Sequence, residues 1–388
     1  MRASTGPYGV GAERPSDQPE EIEWMKEIIL HIGMPKTGTS ALQVFLARNH
    51  AALKAHSIDY FQIGEFNLGL KGSISSGNGS FLARTLLPPN APARIADGAQ
   101  YHTEFHTAVE NSTADIGIVS SELFIDAARE HLERLLASIR NSGITVKALY
   151  YIRRHDQFLA SAYMQQVKRH GYTDYPETYV RTMYRSTPFL KYHSFYRTLA
   201  DIFGARNILC RIYDTAIRDE GGLFLDCLSA FGIDGTGFST DIPAINTSLS
   251  PKEVAIMLMI NRYHPRMQFS DLVVENAVTS GTMAAGIEHR LLPQRLLEEI
   301  ESFFRSENAQ MAQEYFHRSK LFEIPAFNGP ADPIAMASLS FEDVISFFGG
   351  LVVRYDQRMV ELDQRLNDLG RVVRALRAEL QGQPPGKS

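Results

Sequence analysis

The sequence predicts an α/β fold in which helices flank a parallel sheet, followed by a mainly helical C-terminal part. Short apolar runs that are typical of buried strands alternate with stretches of helical spacing, which favours parallel strands covered on both faces. Beyond Asn246 the apolar spacing becomes mainly helical and ends in a heptad repeat. Apolar residues make up 44% of the 388 residues, which is enough for a sizeable core.

The individual elements are predicted in chain order from these apolar patterns. Strands are expected at residues 27–32, 116–119, 145–152 and 207–213, and helices at 127–140, 158–168 and 189–203. A further helix should follow the first strand, because Leu42, Phe45, Leu46 and Leu53 fall at helical spacing. The stretch 64–98 is rich in Gly, Ser and Pro, and we expect irregular structure there, either a lid near a site or a disordered insertion.

The chain is expected to divide into a flexible leader at residues 1–26, a main domain at 27–330, a C-terminal helix at 340–381 and a tail at 382–388. The leader combines Pro, Gly and acidic residues without the apolar run of a signal peptide. No later stretch reaches about 18 uncharged apolar residues, so no membrane anchor is expected. The two cysteines, Cys210 and Cys227, are too few for a disulfide framework and favour a reduced, cytoplasmic setting.

The net charge of −5 is mild and excludes a bulk attraction to nucleic acid or to an anionic membrane. An anion site therefore requires the local placement of basic groups. His102 and His106 are one helical turn apart, but no third ligand is evident, and Glu104 does not have the spacing of a zinc protease motif. No metal site is predicted.

The loop from Gly33 to Ser40 reads GMPKTGTS and lies between the first predicted strand and the following helix, an arrangement that aims backbone amides at a phosphate. Gly33 and Gly38 have the separation of a Walker A motif, but Thr39 occupies the position of its lysine, which here lies at position 36. A nucleoside triphosphate needs that lysine on its terminal phosphates and a hydroxyl on Mg²⁺. The loop therefore predicts a P-loop NTPase-like fold with a ligand that carries less charge than a triphosphate.

The segment from Ile32 to Gln43 resembles the 5′-phosphosulfate loop of sulfotransferases that use 3′-phosphoadenosine 5′-phosphosulfate (PAPS). Its sequence is more like that of soluble bacterial relatives. The resemblance implies these cofactor-binding residues in the loop: Lys36, Thr37, Gly38, Thr39 and Ser40. It implies that Lys36 is also catalytic and stabilises the bridging oxygen as the S–O bond breaks, with no metal required. The resemblance covers about residues 27–215, and the remainder of the chain matches weakly.

Members of this family also carry a strand that ends in Arg and a helix Ser eight residues later, both bound to the 3′-phosphate. Arg153 and Ser161 have this spacing here, and the resemblance implies the same role for both. The late Arg-Lys-Gly segment that binds the 3′-phosphate in cytosolic members is missing. The segment 246–250 with Lys252 is one substitute, and the alternative is a helix N-terminus with Ser250 as its N-cap.

Transfer to a hydroxyl or an amine needs a base within hydrogen-bond reach of the acceptor. Glu122 follows the predicted strand at 116–119, where family members place a His or a Glu, and it is the first candidate for the catalytic base. Its structural alternative is a carboxylate that interacts with a helix N-terminus. Glu65 is the rival candidate, because it lies in the region where some glycan-directed members carry their glutamate.

Nine apolar residues near the C-terminus recur with alternating steps of three and four, which is the a/d spacing of a coiled coil. They are Val352, Tyr355, Met359, Leu362, Leu366, Leu369, Val373, Leu376 and Leu380. Charged residues fill most positions between them, so we expect a homo-oligomer formed through residues 345–380. The alternative is a helix that folds back onto its own domain.

Together with the resemblance, these patterns predict a PAPS-dependent sulfotransferase that acts on a hydroxyl or amine of a saccharide, lipid or small metabolite. No nucleic acid or stable membrane partner is expected. Two alternatives stay open, a P-loop kinase or NTPase and a non-catalytic scaffold that binds the product 3′-phosphoadenosine 5′-phosphate (PAP) and oligomerises through its C-terminal helix. The displaced Lys36 disfavours the kinase.

Overall fold

The computed structural model describes residues 25–73, 75–214, 222–242, 249–263, 291–323, 334 and 339–382. The expected leader up to residue 24, the segment 246–248 and the expected tail beyond residue 382 lie outside the described residues. Met25 and Lys26, which the sequence assigned to the leader, are part of the fold. Met25 is buried, and the Lys26 amide donates to the carbonyl of Asp115 (2.9 Å).

A five-stranded parallel sheet forms the centre of the described fold. Its strands are Glu27–His31 (β1), Ile58–Tyr60 (β2), Ile116–Ser120 (β3), Thr145–Ile152 (β4) and Ile208–Ile212 (β5). They lie in the order β2-β3-β1-β4-β5, and every neighbouring pair is parallel. The predicted fold class and the four predicted strands are confirmed. β2 was not predicted, because its three residues are too few to show an apolar pattern.

Helices cover both faces of this sheet. The helices of the described residues are Thr39–Arg48 (α1), His50–Ala55 (α2), Phe66–Leu70 (α3), Ser80–Leu86 (α4), Ala99–Asn111 (α5), Arg129–Arg140 (α6), His155–His170 (α7), Pro176–Ser186 (α8), Tyr192–Phe203 (α9), Gly222–Ala230 (α10), Pro251–Tyr263 (α11), Gln294–Glu314 (α12) and Phe341–Gly382 (α13). Alternate residues of β1 face opposite sides, so that Ile28 and Leu30 join one apolar cluster and Ile29 joins the other. No helix within the described ranges is both long and apolar enough to cross a membrane.

The connections of the strands diverge at the carboxyl ends of β1 and β4. From β1 the chain runs through α1 and α2 towards β2, and from β4 it runs through α7, α8 and α9 to β5 at the opposite edge. Open parallel sheets bind their ligands where the connections of neighbouring strands diverge in this way. The loop after β1 and Arg153 after β4 both lie at this point.

The stretch 64–98 is less irregular than the sequence predicted. It contains α3 and α4, and its centre is held against the sheet by Asn78, which is buried. The Asn78 side-chain amide donates to the carbonyls of Phe61 and Ile118 (2.8 and 3.2 Å), and its oxygen accepts from the Ser120 amide (2.8 Å). These bonds exclude a disordered insertion for the described part of this stretch, and its role as a lid stays a prediction.

The C-terminal part is helical, as the predicted fold class requires. α12 packs against α9, where Arg197 pairs with Glu314 (3.0 Å). α13 begins with a capping box in which the side chains of Ser340 and Asp343 each bond to the backbone amide of the other residue. Asp343 also pairs with Lys252 of α11, and the hydrogen bond from this lysine lowers the pKa of Asp343 to about 2.

Candidate phosphate-binding site

The loop between β1 and α1 is a tight turn whose backbone suits an anion. Lys36 and Gly38 have left-handed φ values of 66° and 75°, and the Thr37 hydroxyl donates to the Met34 carbonyl (2.6 Å). Gly38 is the N-cap residue of α1 and has no side chain with which to cap it. The amides in the first turn of α1 can therefore serve an external acceptor, as they do at helix N-termini that bind phosphate.

The structure brings Arg153, at the end of β4, together with this loop. Its guanidinium donates to the Lys36 carbonyl (2.7 Å) and lies over the ring of Tyr213, 5.2 Å from the ring centre. The Tyr192 hydroxyl donates to the Arg153 carbonyl and fixes the backbone at this point. Only 6% of Arg153 is exposed, so a buried cation lies against the loop at the carboxyl ends of β1 and β4.

The hydroxyl groups that the sequence assigned to the cofactor divide into two pairs. Thr37 and Thr39 are buried, and their hydroxyls donate to a carbonyl of the loop and to the Glu122 carboxylate. Their contribution to a ligand would therefore come from their backbone amides. Ser40, in the first turn of α1, and Ser161, about two turns into α7, are half-buried, and their hydroxyls stay predicted contacts.

Glu122 lies against the loop from the side of β3. It begins a 3₁₀ turn, Glu122–Asp126, two residues after β3, and its carboxylate accepts a hydrogen bond from the Thr39 hydroxyl (2.9 Å). A Cβ atom on Gly33 would lie 3.5 Å from the Cα atom of Glu122, so the end of β1 and Glu122 are in contact. The carboxylate does begin a helical turn, which was its structural alternative, but the bond to Thr39 also ties it to the loop.

Glu65, the rival candidate for the base, holds the stretch that follows it. It precedes α3, and its carboxylate accepts a hydrogen bond from the Ser76 amide (2.8 Å). Glu65 thus bonds within its own stretch, whereas Glu122 bonds to Thr39 beside the loop after β1. The geometry therefore favours Glu122 over Glu65 at the candidate site.

A buried polar network beneath the loop was not predicted from the sequence. Nδ1 of His31 lies 2.8 Å from the Ser120 hydroxyl oxygen, which also accepts from the Gln43 side-chain amide (3.2 Å). Each of the three residues is at most 2% exposed. They belong to β1, β3 and α1, so no local pattern joins them, and the one local signal is a polar His31 at the end of an apolar strand.

Gly77 allows the stretch 64–98 to approach the end of β3 closely. Its φ is 90°, and a Cβ atom there would lie 2.0 Å from the Ser120 carbonyl oxygen, which belongs to the backbone and cannot rotate away. Gly143 has a similar φ of 78° with nothing within 4 Å of its Cβ position. Gly77→Ala is expected to lower the free energy of unfolding in urea by about 3 kcal/mol, and Gly143→Ala by about 1 kcal/mol. Equal losses would contradict this close approach.

Because two histidines are buried, we expect the protein to lose stability at mildly acidic pH. Burial lowers the pKa of His31 to about 4, and it likewise lowers to about 4 the pKa of His155, which is stacked between the rings of Tyr192 and Phe304. Histidine in the unfolded chain titrates near pH 6.5, so the unfolded state takes up these protons first as the pH falls. Full stability is therefore present above about pH 6.5 and is lost progressively down to about pH 4, by about 3 kcal/mol per histidine.

Urea unfolding at pH 7.5 and pH 5.0 measures this loss. The free energy of unfolding is expected to be lower at pH 5.0 by about 2 kcal/mol for each of the two histidines. His155→Gln should remove about half of that difference, because the His31 contribution would be left. A free energy of unfolding that is the same at both pH values would contradict the burial of neutral histidines.

The structure shows a helix N-terminus at Ser250. α11 begins at Pro251, and Ser250 and Glu253 exchange hydrogen bonds between side chain and amide (2.7 and 3.3 Å), which forms a capping box. Lys252 is paired with Asp343 (2.8 Å). The predicted helix N-terminus is therefore confirmed, and the substitute 3′-phosphate contact stays a prediction, because residues 246–248 lie outside the described residues.

The two histidines on α5 bond to different partners. Nε2 of His102 lies 2.9 Å from the Thr85 hydroxyl oxygen, and Nε2 of His106 lies 3.5 Å from that of Ser138. Among the residues that the structure describes, no group of three or more His, Cys, Asp and Glu side chains could hold a metal ion. The pair thus has separate structural contacts.

The chain is similar to a protein known from its sequence and to a solved structure. No family model matches the chain. An uncharacterized protein from Archaeoglobus fulgidus is 29% identical over 219 residues, which cover 53% of this chain and 55% of that protein. The chain thus spans about half the length of this curated relative. The crystal structure of a sulfotransferase from Alicyclobacillus acidocaldarius is similar with a TM-score of 0.42 and 16% sequence identity, over 76% of this chain and 96% of that chain.

Proposed function

We propose that this protein is a sulfotransferase that moves a sulfuryl group from PAPS to a hydroxyl or amine of a saccharide, lipid or small metabolite. The observation that carries the proposal is the meeting of three groups at one end of the sheet. These are the loop with its displaced Lys36, the buried Arg153 bonded to that loop, and Glu122 bonded to it through Thr39. Two basic residues suit a donor with two anionic groups, and a carboxylate beside them suits removal of a proton from the acceptor.

The residues of the loop fit a phosphosulfate better than a triphosphate. The position after Gly38 holds lysine in loops that bind triphosphates, but here it holds Thr39, whose hydroxyl bonds to Glu122. Lys36 instead supplies the positive charge, at a left-handed turn of the loop. PAPS would supply the activated sulfuryl group, and its 5′ end is proposed to lie on the loop amides, Lys36 and Ser40.

Arg153 and Ser161 are proposed to hold the 3′-phosphate. A guanidinium is suited to this role because its planar fork makes bidentate contacts to a phosphate. Arg153 is also almost fully buried, which holds its guanidinium in a fixed place beside the loop. Its bond to the Lys36 carbonyl couples this position to the 5′ end of the site.

Glu122 is proposed to remove the proton from the acceptor. A base must lie beside the donor and within hydrogen-bond reach of the acceptor, and the bond from Thr39 supports the first condition. Because Thr39 donates to Oε2 of Glu122, Oε1 is the oxygen that we assign to the acceptor proton. Glu65 is the second choice, since its carboxylate already bonds to the Ser76 amide.

The stretch 64–98 is proposed to border the acceptor site. The Gly79 amide donates to the carbonyl of Ser120 (3.0 Å), two residues before Glu122, so this stretch lies next to the proposed base. We also propose that the sulfotransferase domain spans residues 27–330 and that the protein is cytoplasmic.

An acceptor screen with sulfur-labelled PAPS tests the proposed function. The wild-type protein is expected to move label to at least one of three acceptor classes, namely saccharides, lipids and small metabolites, without added Mg²⁺. A parallel assay with ATP and Mg²⁺ tests the alternative of a P-loop kinase. Turnover of ATP without transfer of label would favour the P-loop kinase and contradict the proposal, and binding of PAP without transfer to any acceptor would favour the non-catalytic scaffold.

A further inference from the structure

The C-terminal helix α13 is anchored over its first turns and exposes its apolar seam beyond them. Phe347 is buried in the core, and Asp343 pairs with Lys252 (2.8 Å). The seam residues described with side chains are Val352, Tyr355, Met359, Leu362, Leu366, Leu369, Val373 and Leu376, and they are between 43% and 68% exposed. Their exposure does not support the alternative that the helix folds back onto its own domain, and an exposed apolar surface of this extent marks an interaction site.

We propose that α13 forms a parallel, two-stranded coiled coil with α13 of a second copy of this chain. The a/d spacing is unbroken over nine positions, about four heptads, which meets the roughly three to four heptads that indicate a coiled coil. Leucine occupies three of the four d positions, and valine occupies two of the five a positions, a combination that favours two strands. This inference does not depend on the proposed function.

The charges beside the seam favour the parallel arrangement. Arg358 and Arg365 occupy g positions, and Asp356 and Asp363 occupy e positions. In a parallel pair each g position faces the e position of the next heptad, so Arg358 faces Asp363 of the partner subunit. In an antiparallel pair with the seam fully overlapped, g faces g and e faces e. Arg365 would then face Arg365 of the partner subunit, and Asp363 would face Asp363 of the partner subunit. Like charges oppose that arrangement.

The mass of the full chain in solution tests the two-stranded pairing. Sedimentation equilibrium of the wild-type protein is expected to give twice the mass of one chain, and the double variant Leu362→Asp, Leu369→Asp the mass of one. Val360→Asp is the matched control, because Val360 is also apolar and 51% exposed but lies at a b position off the seam. It is expected to stay dimeric. A monomeric or trimeric wild type, or a double variant that stays dimeric, would overturn the proposal.

A single cysteine tests the direction of the two helices. In the parallel pair Tyr355 faces Tyr355 of the partner subunit, so Tyr355→Cys is expected to form a disulfide-linked dimer under mild oxidation. In the antiparallel pair the same position faces Val373, and the two cysteines would be about 27 Å apart. Native Cys210 and Cys227 are buried, and Gln357→Cys on the outer face is the control that should not cross-link. A dimer in which Tyr355→Cys fails to cross-link would overturn the parallel arrangement.

Discussion

Replacing Lys36 with methionine is expected to lower kcat/KM for sulfuryl transfer by on the order of 10²- to 10³-fold. Methionine keeps a long unbranched side chain but removes the positive charge at the turn of the loop, where negative charge would develop on the leaving oxygen. At position 36 the lysine and the methionine that replaces it must both adopt the left-handed φ of 66°. The free energy of unfolding is therefore expected to stay within about 1 kcal/mol of the wild-type value.

The matched control for this variant is Lys54→Met. Lys54 is an exposed lysine of α2, 3.7 Å from a carboxylate oxygen of Asp59, and it lies outside the candidate site. Its replacement is expected to change kcat/KM by less than about twofold, because exposed ion pairs contribute little. Steady-state rates with labelled PAPS measure both variants. A Lys36→Met enzyme as active as the wild type would remove Lys36 from the proposed chemistry.

Glu122→Gln is expected to lower kcat by on the order of 10²- to 10⁴-fold while leaving the affinity for PAP within about threefold of the wild-type value. Glutamine keeps the shape of the side chain, and its amide oxygen can still accept the hydrogen bond from Thr39. It cannot take up a proton. The expected effect therefore lies in the chemical step rather than in binding of the nucleotide.

Glu65→Gln makes the same chemical change at the rival carboxylate and serves as the matched control. Its expected effect is on stability, because it weakens the charge-assisted bond to the Ser76 amide, and we expect a loss of about 1 kcal/mol in the free energy of unfolding. Its kcat should stay close to the wild-type value. A large fall in kcat for Glu65→Gln with none for Glu122→Gln would assign the base to Glu65.

The features that the sequence predicted correctly are local ones. β1, β3 and β4 are short apolar runs buried on both faces, and β5 is buried on one face, and such runs are legible without any knowledge of their neighbours. The loop after β1 is legible for the same reason, because its glycines and lysine are contiguous. Arg153 could be singled out because it closes a strand, although its bond to the Lys36 carbonyl could not be foreseen.

The features that the sequence did not reveal depend on contacts between distant residues. Thr39 and Glu122 are 83 positions apart, and Asn78 joins the stretch 64–98 to the end of β3 across 42 positions. The glycines and serines around Asn78 were interpreted as a sign of irregular structure, whereas Gly77 is there because the Ser120 carbonyl leaves no room for a Cβ atom. Composition indicates small residues but does not indicate what they pack against.

The C-terminal helix shows both cases in one element. Its heptad spacing and its extent over about residues 340–381 were legible, and the structure confirms one helix from Phe341 to Gly382. The capping box at Ser340 and Asp343 is seen in the structure. The ion pair between Asp343 and Lys252, which anchors the helix, joins residues 91 positions apart and has no sequence signal.

Calorimetric titration of the wild-type protein with PAP and with AMP tests the central claim most directly, because the two nucleotides differ by the 3′-phosphate alone. The wild type is expected to bind PAP about 10- to 100-fold more tightly than AMP, since hydrogen bonds to charged groups contribute about 1.5–3 kcal/mol. Ser161→Ala should reduce the ratio of the affinities for PAP and AMP, whereas Lys36→Ala should weaken binding of both nucleotides. No binding of PAP, or equal affinity for PAP and AMP, would contradict a site built for a 3′-phosphorylated donor.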